Sequence, residues 1–127
     1  MSFLNFLKDV HPDHVFRTKS GSTISNLSEL ASELATMDDA VFDHHVNEDK
    51  NDFHNWVLHI VRDEHLANVL SEIKDRRLML AAVEKRLDQL EHPAQPAHQM
   101  PWHFTARDYL LGVLVGAVAM LMLSRLL

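Results

Sequence analysis

The segment NDFHNWVLHIVRDEHLANVL, residues 51–70, indicates the fold class most directly. Its first half places apolar side chains on one face at helical spacing: Phe53, Trp56, Val57, Ile60 and Val61. Asp52 can cap this helix and Asp63 can cap the next one, because a carboxylate at these positions can accept the free N–H groups of a first helical turn. The segment therefore predicts two consecutive helices.

The residues before this segment are also helical in pattern. Asn26 is followed by Glu29 three residues later, as in a capping box, and apolar residues continue at helical spacing: Leu27, Leu30, Ala31 and Leu34. A further helix is expected from about Asp38 to Val46. The polar KSGS sequence at residues 19–22 is typical of a turn. We therefore expect a mainly α-helical domain with at most a short β-hairpin near residues 15–24.

Residues 66–90 follow a heptad-like spacing in which seven of eight seam positions are apolar. Such a seam is just long enough for a coiled coil and would allow dimerisation. Two shorter amphipathic helices packed on the domain would produce the same pattern, and the polar KDRR sequence at residues 74–77 interrupts the seam. We favour the two shorter helices.

The chain divides into four predicted parts. These are a short amphipathic N-terminal helix (1–11), a helical domain (13–90), a proline-rich linker (91–104) and a C-terminal transmembrane anchor (105–127). The N-terminal helix is expected to pack on the domain, with the membrane interface or a partner as alternatives. The prolines of the linker are expected to keep it extended.

The last 19 residues, YLLGVLVGAVAMLMLSRLL, carry one charged side chain, Arg125. A helix of this length would measure ~28 Å, which is close to the ~30 Å hydrocarbon core of a bilayer. With no signal sequence at the N-terminus, we expect a single-pass protein whose N-terminal domain is cytoplasmic. Aromatic residues stand where the chain would enter the bilayer: Trp102, Phe104 and Tyr109. Gly112 and Gly116 have the small-xxx-small spacing that lets transmembrane helices approach closely.

Composition and charge exclude several classes of function. The chain has 127 residues, a net charge of −6 and no cysteine, so thiolate chemistry and cysteine metal sites are ruled out. Residues 38–64 carry eight carboxylates against two basic side chains, which would repel nucleic acid. The basic side chains at residues 74–86 alternate with acidic ones and are interpreted as a solvated helix face, with attraction to anionic lipid as the alternative.

Ten histidines are present, and five lie in or beside the acidic segment: His44, His45, His54, His59 and His65. Protonating them near pH 6 would cancel much of the local negative charge, so this segment is a candidate pH-responsive site. A metal site is not expected, because these histidines lack the i, i+3 or i, i+4 spacing that places two ligands on one helix face. We expect no cofactor.

The polar loop at residues 47–51 is a candidate interaction site through Asn47, Lys50 and Asn51. The alternative interpretation is structural: Asn47 would end a helix, Asp52 would cap the next one, and Trp56 would fill the core with its N–H bonded to a loop carbonyl. Catalytic motifs such as a phosphate loop, a nucleophile elbow or a helical zinc motif are missing from the sequence.

Three sequence segments carry a resemblance to a known family: SNLSEL (25–30), MDDAVFDHHVNEDKNDFHNWV (37–57) and DEHLANVL (63–70). Residues 16–90 resemble a family of small, mainly helical domains of unknown function associated chiefly with archaea. The resemblance implies a helical domain and brings no established activity with it. Domains of that family mostly lack an anchor, which would make the C-terminal segment an addition of this protein.

Together these features predict a non-catalytic, membrane-anchored accessory subunit or adaptor. Its partners would be membrane lipid and either a larger membrane complex or a second copy of the chain, and nucleic acid is not expected. The alternative function is a pH- or ligand-responsive sensor that uses the histidine-rich acidic segment at residues 38–65.

Overall fold

Five α-helices and one two-stranded β-hairpin make up residues 3–93, the part of the chain that the computed structural model describes. The hairpin consists of β1 (Phe16–Arg17) and β2 (Thr23–Ile24). The helices follow in chain order: α1 (Leu27–Thr36), α2 (Asp39–His45), α3 (Asp52–Trp56), α4 (Glu64–Ser71) and α5 (Arg76–Glu91). The prediction of a mainly helical domain with a short hairpin between residues 15 and 24 is confirmed.

Several predicted features lie outside the described residues. They are the transmembrane anchor with Gly112 and Gly116, the interfacial aromatics Trp102, Phe104 and Tyr109, and most of the linker. Within residues 3–93, no helix is both long enough and apolar enough to cross a bilayer.

The N-terminal segment packs on the helical domain. Phe3–Leu7 forms a 3-10 helix, shorter than the amphipathic helix predicted for residues 1–11. Two of its side chains, Phe6 and Leu7, are partly buried against the core, as is Val10 further along the chain. The backbone N–H of Val10 donates to the carbonyl of Ser25 at 2.8 Å, immediately before α1. That long-range bond holds Val10 in place beyond the end of the 3-10 helix.

The hairpin pairs Phe16 with Ile24 in antiparallel register. Its turn is closed by the N–H of Thr18, which donates to the carbonyl of Ser22 at 2.9 Å. Gly21 has a φ of +95°, a conformation that side-chain-bearing residues rarely adopt. This requirement explains the glycine in the predicted turn.

The first helix begins as its sequence predicts. The side chain of Asn26 accepts the N–H of Glu29 at 2.8 Å, and the carboxylate of Glu29 accepts the N–H of Ser25 at 2.6 Å. Two free N–H groups at the start of α1 are thereby satisfied, as in a capping box.

The third helix begins one residue earlier than its sequence pattern indicates. Asn51, and not Asp52, is the capping residue, and its side-chain oxygen accepts the N–H of His54 at 2.9 Å. Asp52 instead occupies the first helical position, where its side chain is free to bond elsewhere. The last turn, Val57–Val61, widens into a π-helix that ends at Arg62, whose φ is +67°.

Residues 66–90 form two separate helices, α4 and α5, joined by residues 72–75. Both pack on the rest of the domain, and α5 lies mainly against α1. Three of the eight seam positions, Leu66, Val83 and Leu90, are buried in the core of the same molecule, and Ile73, Leu80 and Leu87 pack against it, while Val69 is exposed. The seam is therefore used within the domain, in agreement with the interpretation as two shorter helices.

The core lies between α1, α3, α4 and α5 and includes the most deeply buried large side chains. These are Ile24, Leu27, Leu30, Leu34, Phe42, Phe53, Val57, Leu66, Leu70, Met79 and Val83. Within residues 3–93, every buried side-chain nitrogen and oxygen has a hydrogen-bond partner. The domain thus meets the usual requirement of a stable interior, and its polar groups are already engaged.

Candidate functional site

A tight turn joins α2 to α3; it contains two of the predicted interaction residues, Asn47 and Lys50, and the third, Asn51, follows it directly. A single β-bridge pairs Val46 with Asn51, and the N–H of Asn47 donates to the carbonyl of Lys50 at 2.9 Å. We call residues 47–50 the α2–α3 turn. It projects between two helix ends that are both anchored in the core.

Two of the three predicted interaction residues have structural roles. The side-chain amide of Asn47 donates to the carbonyl of Asp43 at 3.2 Å, and its oxygen accepts the N–H of Asp49 at 3.0 Å. Asn51 caps α3 and also donates to the carbonyl of Leu70 at 2.9 Å. These amides hold the turn in shape and are not available to a partner.

The charged side chains of the α2–α3 turn are exposed: Glu48, Asp49 and Lys50. Lys50 forms an ion pair with Asp52 at 3.0 Å, and Glu48 pairs with Lys74 at 2.9 Å. Together with Ser71 the turn lines an open concavity of about 220 Å³. Recognition at this turn would therefore depend on charged groups, since its amides are engaged.

His45 lies beneath the turn and is 5% exposed. Its Nδ1 lies 3.0 Å from Oδ2 of Asp52, and its Nε2 lies 3.0 Å from the backbone nitrogen of Lys19. A backbone N–H can only donate, so Nε2 is the acceptor and Nδ1 carries the proton of the neutral ring. We call His45, Asp52 and the Lys19 N–H the His45 triad.

Aromatic rings surround the His45 triad. The ring of Phe16 meets His45 edge-on with centroids 5.1 Å apart, and Phe53 lies at 5.5 Å. Burial raises the pKa of Asp52, but hydrogen bonds from His45 and Lys50 outweigh it and bring that pKa below its ordinary value. The carboxylate is therefore held in its charged form beside the imidazole.

A histidine paired with a carboxylate is the usual arrangement of a general base. Such a base needs its second ring nitrogen free to reach a substrate. In the His45 triad the Lys19 N–H occupies that nitrogen. The neutral triad is therefore arranged for structure and not for proton abstraction.

Of the five predicted pH-responsive histidines, His44 and His45 are in contact and the other three lie at separate positions. His44 is exposed and stacks edge-on against His45 at 4.9 Å, while Nδ1 of the half-buried His54 donates to the carbonyl of Ala67 at 2.7 Å. His59 and His65 are exposed on the π-helical turn and on α4. Among the described residues, no group of three or more histidine, aspartate or glutamate side chains is placed to hold a metal ion.

The environment of His44 opposes its protonation. Desolvation and, after it, the nearby charges of Lys50 and Lys19 lower the pKa of His44 from its ordinary value of 6.5. At any given pH His44 is therefore less protonated than a histidine with an ordinary pKa, which weakens its part in the predicted charge cancellation.

Two arginines of the predicted solvated basic face are in fact partly buried in ion pairs. Arg86 is 13% exposed and binds Asp63 with two hydrogen bonds, and Arg76 is 18% exposed and pairs with Asp39 at 2.8 Å. The interpretation as a fully solvated face was wrong for these two residues. Arg86 shares the buried face of α5 with Met79, Val83 and Leu90, and this position could have revealed its burial.

The concavity at the start of α5 combines both signs of charge. It measures about 370 Å³ and is lined mainly by charged side chains: Asp39, Asp43, Lys74, Asp75, Arg76 and Arg77. The hydrogen bond from Arg76 lowers the pKa of Asp39, and Arg76 also donates to the carbonyl of Leu34 at 2.8 Å. Arg76 thus serves mainly to join α5 to α1 and α2.

No protein-family model, curated protein or solved structure matches the chain. The resemblance to small helical domains associated with archaea therefore stays a hypothesis that rests on the three sequence segments named above.

Proposed function

We propose that the protein is a non-catalytic adaptor or accessory subunit held on a membrane by residues 105–127, with its helical domain on the cytoplasmic side. The observation that carries this proposal is the run at residues 109–127, in which Arg125 is the one charged side chain. Such a run is long enough to span a bilayer. Arg107, just before it, agrees with the usual basic flank on the cytoplasmic side.

The engaged polar groups of the domain support a non-catalytic role. The histidine–carboxylate pair of His45 and Asp52 has its second ring nitrogen bonded to the Lys19 N–H.

The partner-binding surface that we propose is the α2–α3 turn. Its exposed charges, Glu48, Asp49 and Lys50, stand on a turn whose shape is fixed by the amides of Asn47 and Asn51. A rigid turn loses little conformational entropy on binding. The partner would be a larger membrane complex, or a second copy that also makes contact through Gly112 and Gly116 of the anchor.

Membrane attachment is tested by changing one residue in the middle of the apolar run. Val118→Arg places a charge at the centre of the span, at a cost of roughly 2.5–3.5 kcal/mol on insertion scales. The variant should be released from membranes by alkaline carbonate, whereas the matched control Val118→Leu should stay with them. Release of the unaltered protein under the same conditions would contradict the anchor.

The adaptor role is tested by purifying the full chain in mild detergent after chemical cross-linking in membranes. A cross-linked membrane protein or a cross-linked dimer supports the proposal. A monomer that brings nothing with it contradicts it.

The second candidate function is a pH- or ligand-responsive sensor. Among the histidines, His45 is the best candidate for the sensing residue, because it is bonded to both Asp52 and the Lys19 N–H. Partner association that changes between pH 5.5 and pH 8 would support the sensor, and association that stays constant would support the plain adaptor. A stoichiometric metal ion in the purified protein would favour a ligand-responsive form.

A further inference from the structure

The two ring nitrogens of His45 form different hydrogen bonds, and protonation of the ring affects the two bonds differently. In the neutral ring, Nδ1–H donates to Asp52 and Nε2 accepts from the Lys19 N–H. Adding a proton to Nε2 converts it from an acceptor into a donor. Two donors would then face each other across 3.0 Å, while the contact between Nδ1 and Asp52 would become an ion pair. Protonation therefore strengthens one contact and eliminates the other.

We propose that His45 is a proton-operated latch that holds the hairpin turn, residues 18–22, against α2 when neutral and releases it when protonated. The inference concerns the helical domain alone and does not depend on the membrane anchor or on the partner.

The hairpin turn is held together by hydrogen bonds within residues 18–22. The N–H of Gly21 donates to the carbonyl of Thr18 at 3.0 Å, and the N–H of Ser22 donates to the hydroxyl of Thr18 at 3.0 Å. The Thr18 and Ser20 hydroxyls are 2.9 Å apart. None of these bonds involves a titrating group, so the turn keeps its own structure when His45 changes state.

The charges that face His45 come from four parts of the chain. Asp52, on α3, favours the protonated ring, while Lys50, from the α2–α3 turn, pairs with the same carboxylate and opposes protonation. Lys19, on the hairpin turn, and His44, on α2, add positive charge nearby when they are protonated. A protonated His45 also repels the positive charge of Lys19. This repulsion and the loss of the Lys19 N–H bond both favour release of the hairpin turn.

The latch also connects the hairpin turn with the α2–α3 turn, both of which carry exposed residues. Asp52 binds both His45 and Lys50, and Lys50 belongs to the proposed partner-binding turn. A protonated His45 binds the Asp52 carboxylate more strongly, and this interaction competes with the ion pair between Asp52 and Lys50. Proton binding beneath the α2–α3 turn therefore alters the charges that the turn presents.

The test is a nuclear magnetic resonance titration of the full chain in detergent micelles between pH 7.5 and pH 5. Imidazole nitrogen shifts report the tautomer and protonation of His45, and the Lys19 amide reports the latch. We expect a protonated Nδ1 and an unprotonated Nε2 at pH 7.5. As Nε2 becomes protonated, the exchange protection of the Lys19 amide, corrected for intrinsic exchange, should fall about tenfold with the same midpoint.

The variant His45→Gln supplies the matched control. Its amide oxygen can still accept the Lys19 N–H but does not titrate, so protection of Lys19 should not change with pH. His45→Asn keeps a donor for Asp52 and is too short for Lys19, so protection should be low at every pH. If either variant fails to fold, the titration of the unaltered protein still decides the question.

Three results would overturn the latch. The first is a proton on Nε2 in the neutral ring. The second is a Lys19 amide that keeps its protection while His45 becomes protonated. The third is a His45 that stays neutral until the whole domain unfolds.

Discussion

Asp63 and Arg86 form a two-pronged ion pair in which Nε of Arg86 lies 2.8 Å from Oδ2 and Nη2 lies 3.1 Å from Oδ1. Asp63 is 1% exposed, and its Oδ1 also accepts the N–H of Leu66 to cap α4. The guanidinium lies 6.0 Å from the centroid of Phe6 in the N-terminal 3-10 helix. The ion pair therefore holds together the start of α4, the helix α5 and the N-terminal 3-10 helix.

Arg86→Met should be one of the most destabilising single substitutions in the domain. It leaves the carboxylate of Asp63 buried without its charged partner, and breaking such a pair costs about 3–5 kcal/mol. Urea unfolding of the full chain in detergent, followed by Trp fluorescence, measures the loss. Lys85→Met removes an exposed charge from the neighbouring position and should change stability by less than about 0.5 kcal/mol. Equal effects of the two substitutions would contradict a special role for the ion pair.

Asn51→Ala should destabilise the domain by about 2–3 kcal/mol, because it removes both the cap of α3 and the donor to the carbonyl of Leu70. Asn51→Ser keeps a capping oxygen and loses the donor, so its effect should be smaller. The same unfolding measurement applies. Asn55→Ala, at an exposed position of the same helix, is the control and should have little effect.

Asp49→Lys should weaken partner association without unfolding the domain. Asp49 is exposed, and it takes part in the α2–α3 turn through its backbone N–H, which the substitution leaves intact. Cross-linking yield in membranes measures the association, and thermal unfolding verifies the fold. Glu84→Lys makes the same charge change at an exposed position of α5. If Glu84→Lys reduces the yield as much as Asp49→Lys, the turn is not the specific contact.

The charged carboxylate of Asp52 should stabilise the folded domain, and this stabilisation should be lost in acid. Its pKa is below the ordinary value of 3.8 in the folded protein, so the unfolded chain takes up the proton first as the pH falls. The stabilisation is present above pH 3.8 and disappears as the pH falls through the lower, folded-state pKa. Melting temperatures measured from pH 6 to pH 2 should therefore fall less steeply in Asp52→Asn than in the unaltered protein. Parallel curves would refute this contribution.

Arg62→Gly should stabilise the domain by about 0.5–1 kcal/mol. Arg62 has a φ of +67° at the end of the π-helical turn, and glycine adopts this conformation without steric cost. The gain is limited because glycine also makes the unfolded chain more flexible. Arg17, in the exposed part of β1, does not have a positive φ, so Arg17→Gly should be destabilising. Unfolding midpoints of the two variants should therefore move in opposite directions.

The helices, the capping of α1, and the hairpin near residues 15–24 could be predicted because each depends on residues close in sequence. Asp63 was recognised as the cap of α4, and the N–H of Trp56 bonds to a loop carbonyl, that of His14 at 2.9 Å, as expected. The cap of α3 was misplaced by one residue. Asn51 and Asp52 can both cap a helix, and the choice depends on the additional bond from Asn51 to Leu70.

The candidate site was less predictable, because its contacts join residues far apart in the chain. The sequence groups the five histidines by their proximity along the chain, yet the fold leaves only His44 and His45 in contact and buries His45 against Lys19, 26 residues away. Spacing along a single helix could not reveal this contact. Arg86 was assigned to a solvated face, although it occupies the buried face of α5 opposite Asp63.

Periodicity and capping within a few residues determined the helical class and the hairpin, because these depend on local backbone geometry and on which side chains share a face. The packing of α2, α3 and α5 against the rest of the domain selected His45 as the buried histidine and Asp63–Arg86 as the buried ion pair. His45 and the Asp63–Arg86 pair are buried because elements distant in sequence cover them. Their chemistry is therefore a property of the folded arrangement and not of the segments that carry them.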